Sequence, residues 1–372
     1  MIMIGRVSSI RLSMITKKSF KTGNRGEDEA MSKTFGVTGG AGFIGTNFCD
    51  RLISEGHSAV ILDDLSRPGA DRNLRWLTDK HRKGVTFVRA DIASDQDRLR
   101  ELAESTDVIF HLAGQVAVTT SAQNPGHDFS VNAGGTFNLL EAIRLSDRKP
   151  GLVYASTNKV YGGLEAMEIS ETEDRYVFVD APKGVSEAQQ LDFHSPYGCS
   201  KGAADQYVRD YARSFGLSTV VLRQSCIYGP RQFGIEDQGW VAWFVIAAVT
   251  GRPITLYGTG KQVRDVLFID DLTDLFLKVA DNIEQHAGEA FNIGGGPDQT
   301  MSLIEFLEML EDLLGRKISY GFGAARVGDQ PVYVSDIRKA GMRTDWTPTT
   351  GVREGVEKLV AWVQANEGLF RK

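Results

Sequence analysis

The sequence is poor in cysteine and contains no long apolar run. Its three cysteines, Cys49, Cys199 and Cys226, lie far apart in a chain of 372 residues. That spacing fits neither a disulfide framework nor a zinc site, so we expect no bound metal and a cytoplasmic location. No apolar run approaches the about 18 residues that a membrane helix requires. The net charge of −6 argues against a nucleic-acid partner, which clustered basic residues would attract.

The first 30 residues differ in composition from the rest of the chain, with six basic and three acidic residues. A basic, serine-containing start of this kind is typical of a transit peptide. The alternative is that Met1 is a wrongly assigned start and that translation begins at Met31, from which the sequence leads directly into the first strand-like run. Under either interpretation, we expect residues 1–33 to form an extension that is disordered or loosely attached.

After residue 33, short β-branched and apolar runs alternate with helical patterns. The strand-like runs cover residues 35–38, 59–62, 85–89, 107–111, 151–155 and 218–223. The helical patterns cover residues 42–55, 97–104, 129–144, 197–215, 303–314 and 351–365. This alternation predicts an α/β fold of the Rossmann type, with a doubly wound parallel sheet. We expect a dinucleotide-binding domain over residues 34–222 and a smaller C-terminal α/β lobe, mainly for substrate, over residues 223–372.

A glycine-rich loop joins the first predicted strand to the first predicted helix. Gly40, Gly42 and Gly45 satisfy the pattern G-x-G-x-x-G, and Gly39, Gly42 and Gly45 satisfy a related spacing. Glycine permits a tight turn and lets backbone N–H groups approach a diphosphate at the helix N-terminus. The context of strand, loop and helix therefore predicts a dinucleotide site.

Asp63 ends the second predicted strand, 18 residues after Gly45. An acidic residue at about this distance binds the ribose hydroxyls of NAD and repels the 2′-phosphate of NADP. The sequence thus favours NAD, although Arg67 lies near enough to weaken the preference. The alternative for Asp63 is a solvated loop residue or a helix cap.

Tyr197 and Lys201 stand four residues apart on a predicted helix and so share one face. A free tyrosine has a pKa of about 10. We expect the neighbouring ammonium to lower the pKa of Tyr197 and make it an acid/base for a sugar hydroxyl. Thr157 follows a predicted strand and would orient the same proton. Without the glycine loop, a Tyr-x-x-x-Lys pattern would equally well be a pair of exposed helix residues with no catalytic role.

Taken together, these motifs resemble the extended short-chain dehydrogenase/reductase family of NAD-dependent nucleotide-sugar enzymes. The segments that carry the resemblance are 38–45, 111–114, 132–136, 156–162, 197–201 and 264–265. Longer strings resemble the branch that inverts C2 of a CDP-linked deoxysugar through a 2-keto intermediate. These strings are 64–70, 73–76, 111–121, 156–162, 191–206, 237–240 and 260–265.

The resemblance implies a role for a defined set of residues. The catalytic residues would be Thr157, Tyr197 and Lys201. The residues that contact NAD would be Gly39, Gly42, Phe43, Ile44, Gly45, Asp63, Asp64, Ser66, Arg67, Asp91, Ile92, Leu112, Ala113, Gln115, Asn132, Ala155, Ser156, Tyr197, Lys201 and Ser225. The residues that contact the nucleotide sugar would be Gln115, Thr119, Thr157, Asn158, His194, Arg264, Arg326 and Asp329. The two arginines suit a diphosphate, although either would also serve in a surface ion pair.

Other functions compete with this hypothesis. A 4-epimerase of a UDP- or GDP-sugar would use the same tyrosine, lysine and threonine, and a non-catalytic NAD sensor would need only the cofactor site. A dehydratase is disfavoured because Asn158 and Lys159 stand where that branch carries an acidic pair. We expect a homodimer or homotetramer built on the helices predicted over 129–144 and 197–215.

Overall fold

The computed structural model describes residues 32–326 and 329–370. The extension predicted over residues 1–33 therefore lies outside the described residues, apart from Ser32 and Lys33. Within the described ranges, every helix is too short or too polar to cross a bilayer.

The described strands and helices alternate over most of the chain. The strands are β1 (Thr34–Thr38), β2 (Ser58–Asp63), β3 (Val85–Arg89), β4 (Val108–His111), β5 (Gly151–Thr157), β6 (Ile169–Glu171), β7 (Tyr176–Phe178), β8 (Thr219–Gln224), β9 (Cys226–Tyr228), β10 (Ile254–Tyr257), β11 (Val263–Phe268), β12 (Ala290–Ile293), β13 (Thr300–Ser302), β14 (Tyr320–Gly323) and β15 (Val332–Tyr333). The helices are α1 (Phe43–Ser54), α2 (Ala70–Lys80), α3 (Gln96–Ser105), α4 (Val118–Gln123), α5 (Pro125–Phe129), α6 (Gly135–Leu145), α7 (Ser195–Phe215), α8 (Trp240–Thr250), α9 (Ile269–Asp281), α10 (Leu303–Leu314), α11 (Arg338–Thr344) and α12 (Val352–Ala365).

Seven parallel strands form the central sheet in the order β12-β8-β5-β4-β1-β2-β3. The strand order reverses between β1 and β4, which is where doubly wound sheets bind ligands beyond the carboxyl ends of their strands. The predicted Rossmann-type fold is confirmed. Strand β12 was not predicted, and it brings residues from beyond position 222 into this sheet.

Both faces of the central sheet are covered by apolar side chains from helices, which explains why its strands are almost continuously apolar. On one face, the rings of Phe48, Phe110 and Phe276 pack with centroids 4.4–5.1 Å apart. On the other face, Leu139 of α6 and Val208 of α7 belong to a second buried cluster. These two layers fix the helices that carry the candidate site residues.

Smaller sheets follow the central one. Strand β11 pairs with β9, β13 and β15, while β10 pairs with β14 and β6 with β7. Because β9 begins two residues after β8 ends, β11 is held close to the carboxyl edge of the central sheet. That arrangement brings Arg264 of β11 toward the end of β5.

A buried ion pair fixes helix α7 against the sheet. Asp205 of α7 accepts hydrogen bonds from Arg223 of β8 at 2.9 Å, and both side chains are almost fully buried. The same carboxylate accepts a hydrogen bond from Ser156 of β5 at 2.8 Å. Asp205 therefore ties the helix that carries Tyr197 and Lys201 to the strand that carries Thr157.

Candidate active site

The glycine-rich loop packs too tightly for any side chain at two positions. Gly39 has a φ of +68°, and a Cβ there would lie 2.6 Å from the backbone nitrogen of Ala113. A Cβ on Gly45 would lie 2.5 Å from the carbonyl oxygen of Gly39. Gly42 donates its N–H to that carbonyl at 3.0 Å and immediately precedes α1. The loop thus presents the N-terminus of α1 at the carboxyl edge of the sheet, as a diphosphate would require.

Phe43 and Ile44 occupy the first turn of α1. Both side chains are partly buried and pack against the larger hydrophobic core. Of the residues predicted to contact the cofactor, these two therefore also anchor the loop to the fold.

Asp63 holds the end of β2 to the glycine loop. Its carboxylate accepts N–H donors from Ala41 at 3.0 Å and Leu65 at 2.8 Å. Burial raises the pKa of this carboxyl group, while the two backbone donors act in the opposite direction. The predicted role at the ribose stays a prediction, but its position at the carboxyl end of β2 suits it.

The residues after Asp63 form an exposed turn. Ser66 donates its N–H and hydroxyl to Asp64 at 2.9 and 2.7 Å. Arg67 donates a hydrogen bond to Gln238, and its charge acts on Tyr197 and Asp63. The guanidinium therefore projects from the cofactor side toward the catalytic side of the site, and Gln238 was not predicted as its partner.

The end of β4 lies against the glycine loop. Ala113 donates its N–H to the hydroxyl of Thr38 at 3.3 Å, and the same hydroxyl lies 2.7 Å from His111. Burial lowers the pKa of His111 to about 3, so its ring is neutral at physiological pH. Leu112, next in the chain, is partly buried against the core. This segment forms part of the floor of the predicted cofactor site.

A polar network joins the loop after β4 to helix α7. Asn132 accepts the N–H of Gln115 at 2.9 Å and donates to the hydroxyl of Ser200 at 3.0 Å. Asp128, which is fully buried, accepts from Gln115 at 3.0 Å and from Ser200. Sequence reasoning missed Asp128 and Ser200. Ser200 lies within the Tyr-x-x-x-Lys string, whereas nothing in the local pattern distinguishes Asp128.

Tyr197, Thr157 and Lys201 meet at the end of β5. The hydroxyl of Thr157 lies close enough to that of Tyr197 to favour the ionised form of the phenol. The ammonium of Lys201 donates to the carbonyl of Ala155 at 2.6 Å and lies 4.3 Å from the centre of the Tyr154 ring. The structure therefore brings the three predicted catalytic residues to one point.

The electrostatics of this group differ from the prediction. Burial raises the pKa of Tyr197, and the nearby hydroxyl of Thr157 and the charge of Arg67 only partly oppose that effect. Burial also lowers the pKa of Lys201 to about 7, against the favourable charges of Asp205 and Asp128. The prediction that Lys201 lowers the pKa of Tyr197 is wrong for the protein's own groups, because desolvation dominates.

Several other predicted cofactor contacts have structural partners. The carboxylate of Asp91 accepts the N–H of Ala93 at 2.9 Å, which closes a turn after β3. The side chain of Ile92 is buried against Gly135 of α6. Ser225 donates its hydroxyl to the backbone carbonyl of Asp265 at 3.2 Å and also to its carboxylate. Ile92 can therefore offer a ligand little of its side chain.

The predicted substrate residues divide into two groups. Asn158 accepts from Thr157 at 3.3 Å, and the buried hydroxyl of Thr119 has no hydrogen-bond partner within the described ranges. His194 is half exposed, with its ring 3.1 Å from Asp192 and 4.0 Å from Glu165. Asn158 thus lies with the catalytic group, whereas the contacts of His194 are to exposed carboxylates.

The two arginines predicted to bind phosphate lie on β11 and after β14. Arg264, which is buried, pairs with Asp329 at 2.6 Å. Arg326 pairs with Asp237 at 3.0 Å and stacks 4.0 Å from the centre of the Tyr257 ring. Each predicted phosphate ligand therefore already has a carboxylate partner, which an incoming phosphate would share or replace.

The donor set fits a dinucleotide. The close-packed glycines leave backbone N–H groups open at the start of α1, Asp63 ends the adjacent strand, and Lys201 lies beyond β5. A Cβ added to Gly114 would lie 3.9 Å from Lys201 Nζ, so the floor next to the ammonium is backbone. A site built in this way can accept a planar ring beside the ammonium of Lys201 and the phenol of Tyr197.

We predict that Gly45→Ala weakens NAD binding by about ten-fold or more, because the new methyl group meets backbone atoms of Gly39 and Gly40 that cannot rotate away. Calorimetric titration with NAD measures this loss. Gly126→Ala is the matched control, since its Cβ would meet no atom within 4 Å. An unchanged NAD affinity in Gly45→Ala would contradict the assignment of the loop.

Comparison with known proteins agrees with this geometry. The chain is 47% identical to CDP-paratose 2-epimerase of Salmonella typhi over 88% of this chain and 98% of that protein. It is 34% identical to UDP-glucose 4-epimerase of Mycolicibacterium smegmatis over 87% and 96% of the two chains. UDP-glucuronic acid 4-epimerase from Bacillus cereus, solved with UDP-glucuronic acid and NAD, superposes with a TM-score of 0.76 at 26% identity, covering 90% of this chain and 99% of that one. Residues 36–294 match the model of the NAD dependent epimerase/dehydratase family, to which this chain belongs.

Proposed function

We propose that the chain is an NAD-dependent epimerase that inverts C2 of a CDP-linked deoxysugar, converting CDP-paratose to CDP-tyvelose. The observation that carries the proposal is the meeting of Thr157, Tyr197 and Lys201 at the end of β5, beside a glycine loop that fits a dinucleotide. The 47% identity to a CDP-paratose 2-epimerase over nearly the whole of both chains supports the choice of sugar and carbon.

The residues that would hold NAD lie along the carboxyl ends of β1, β2, β4 and β5. The N–H groups at the start of α1 would bind the diphosphate, and Asp63 would bind a ribose. Lys201 would hold the nicotinamide ribose, since its ammonium has donors beyond the one given to Ala155. NAD, when bound, supplies the oxidant for C2, the reductant that restores it, and a positive ring that favours the phenolate of Tyr197.

The protein's part in the reaction is to move one proton twice. Tyr197 Oη takes the proton of the C2 hydroxyl as the 2-keto sugar forms, and the nearby Thr157 Oγ1 orients that proton. The keto sugar then presents its opposite face, and Tyr197 returns the proton to the oxygen at C2. No net oxidation occurs, so the chain needs no second substrate.

A 4-epimerase of a UDP- or GDP-sugar is the second candidate. It is supported by the relative from Mycolicibacterium smegmatis and by the Bacillus cereus structure. The same three side chains would serve either carbon, because the orientation of the sugar in the site decides which hydroxyl meets Tyr197. The product therefore distinguishes the two functions.

We predict that the enzyme interconverts CDP-paratose and its C2 epimer, as followed by proton NMR of the sugar. Tyr197→Phe should lower kcat by about 10²–10⁴ while NAD binding is retained. Tyr320→Phe, an exposed tyrosine on β14, is the matched control. Inversion at C4 only, or no turnover of any CDP-sugar, would reject the proposal, as would full activity in Tyr197→Phe.

We also propose that the enzyme is a homodimer or homotetramer in the cytoplasm. Helices α6 and α7 expose aromatic side chains on adjoining surfaces: Phe137 is 42% and Tyr207 49% exposed, with their rings 5.9 Å apart. Phe215 at the end of α7 is also half exposed. A second copy would bury these rings. The free thiol groups of all three cysteines support a reducing compartment.

We predict that the wild-type chain sediments as a dimer or tetramer and that the double variant Phe137→Ser/Tyr207→Ser dissociates, because the aromatic contact surface is lost. Analytical ultracentrifugation measures both states. Phe322→Ser removes an even more exposed phenylalanine from β14 and should leave the assembly intact. A monomeric wild type, or an unchanged assembly in the double variant, would overturn this proposal.

A further inference from the structure

We propose that Lys159 is a substrate-binding cation that, together with Arg264, binds the phosphate group attached to the sugar. The inference deepens the proposed function, on which it rests, by assigning a residue that discriminates a nucleoside diphosphate from a monophosphate. Lys159 was not among the residues predicted to bind the substrate.

The backbone fixes Lys159 beside the catalytic group. Its N–H donates to Thr157 Oγ1 at 3.3 Å, in the short helical turn that follows β5. A Cβ on Gly198 would lie 3.3 Å from the carbonyl oxygen of Lys159, so this turn packs against the first turn of α7, next to Tyr197. The side chain therefore starts from the point where the reacting sugar must lie.

The ammonium of Lys159 lies among groups that leave its charge incompletely balanced. Its hydrogen-bond acceptor is the neutral side chain of Gln330, at a long 3.4 Å. Arg264 and Asp329 are the charged groups that act on it most strongly, and Asp329 already pairs with Arg264 at 2.6 Å. Burial and the charge of Arg264 lower the pKa of Lys159 to about 8. The carboxylate of Asp329 thus pairs with Arg264 and acts on Lys159 only at longer range, so an additional anion would stabilise both cations.

The position between Thr157 and Arg264 identifies that anion. Thr157 would contact the sugar, and Arg264 is the predicted ligand of the nucleotide diphosphate. A group that lies between them is the phosphate that joins the two, bonded to C1 of the sugar. An ammonium binds phosphate as a point charge with three rotatable donors, of which Lys159 gives only one to Gln330.

The test compares the binding of CDP and CMP by calorimetry, because only CDP carries the phosphate assigned to Lys159. In Lys159→Met, the affinity for CDP should fall by about ten-fold or more, while the affinity for CMP changes by less than about two-fold. Lys159→Arg should restore most of the CDP affinity because it keeps the charge. The KM for the CDP-sugar should rise in Lys159→Met by a factor similar to the loss of CDP affinity.

Lys317→Met is the matched control, since Lys317 is almost fully exposed and its loss changes the net charge equally. Equal losses of CDP and CMP affinity, or unchanged CDP affinity with a lower kcat, would overturn the proposal. Melting temperature and NAD binding, measured on each variant, identify one that fails to fold. If Lys159→Met fails to fold, Lys159→Gln replaces it, and the same loss of CDP affinity relative to Lys159→Arg is expected. A wild type that binds CDP but turns over no CDP-sugar would count against the proposed function alone.

Discussion

Two ionisable side chains, Lys201 and Tyr197, are buried between helix α7 and the end of strand β5, and the rest of the site depends on that burial. A buried ammonium is costly unless it is hydrogen-bonded and balanced by charge. The carbonyl of Ala155 supplies the hydrogen bond, and Asp205 and Asp128 supply negative charge at longer range. The same burial raises the pKa of Tyr197. In the protein alone, Tyr197 is therefore held as a neutral phenol, and the charged form of Lys201 is destabilised. The positive ring of the cofactor would shift Tyr197 toward the phenolate that catalysis needs.

The scaffold that maintains this arrangement is polar as well as apolar. The pair of Asp205 and Arg223 links α7 to β8, and Ser156 links the same carboxylate to β5. Asn132 lies in a π-helical turn, Ser130–Gly134, from which it reaches both Gln115 and Ser200. Such turns are uncommon and frequently occur at functional sites. Side chains that do not themselves react thus connect strand, loop and helix around the catalytic group through hydrogen bonds.

The sequence was sufficient to predict much of the fold. Six strands of the central sheet were predicted because each is an apolar run bounded by polar residues. Strand β12 escaped prediction because the polar Asn292 interrupts the apolar run of its four residues, Ala290–Ile293. The helix predicted over residues 129–144 is instead the end of α5, a π-helical turn and α6. The spacing of apolar residues does not reveal this break in the helix, because the apolar positions continue through it.

The grouping of the candidate site residues was predictable where a motif has one dominant chemistry, as for the glycine loop and the pair of Tyr197 and Lys201. Asp128 and Lys159 were missed because the contacts of the first and the proposed role of the second arise from groups distant in sequence: Ser200 for Asp128, Arg264 for Lys159. The predicted direction of the pKa shift of Tyr197 was wrong for a related reason. Spacing on a helix reveals a neighbouring charge, but desolvation depends on the tertiary packing of α7 against β5.

The titration of Lys201 in the cofactor-free protein tests the central claim most directly. NMR of lysine side chains labelled with carbon-13 follows each amine, and the Lys201→Met variant identifies the signal by its loss. We predict that the pKa of Lys201, read as the midpoint of this titration, is about 7, because burial destabilises its charged form. A midpoint near the roughly 10.4 typical of exposed lysines would show that the ammonium is not buried beside Tyr197, and would contradict the claim.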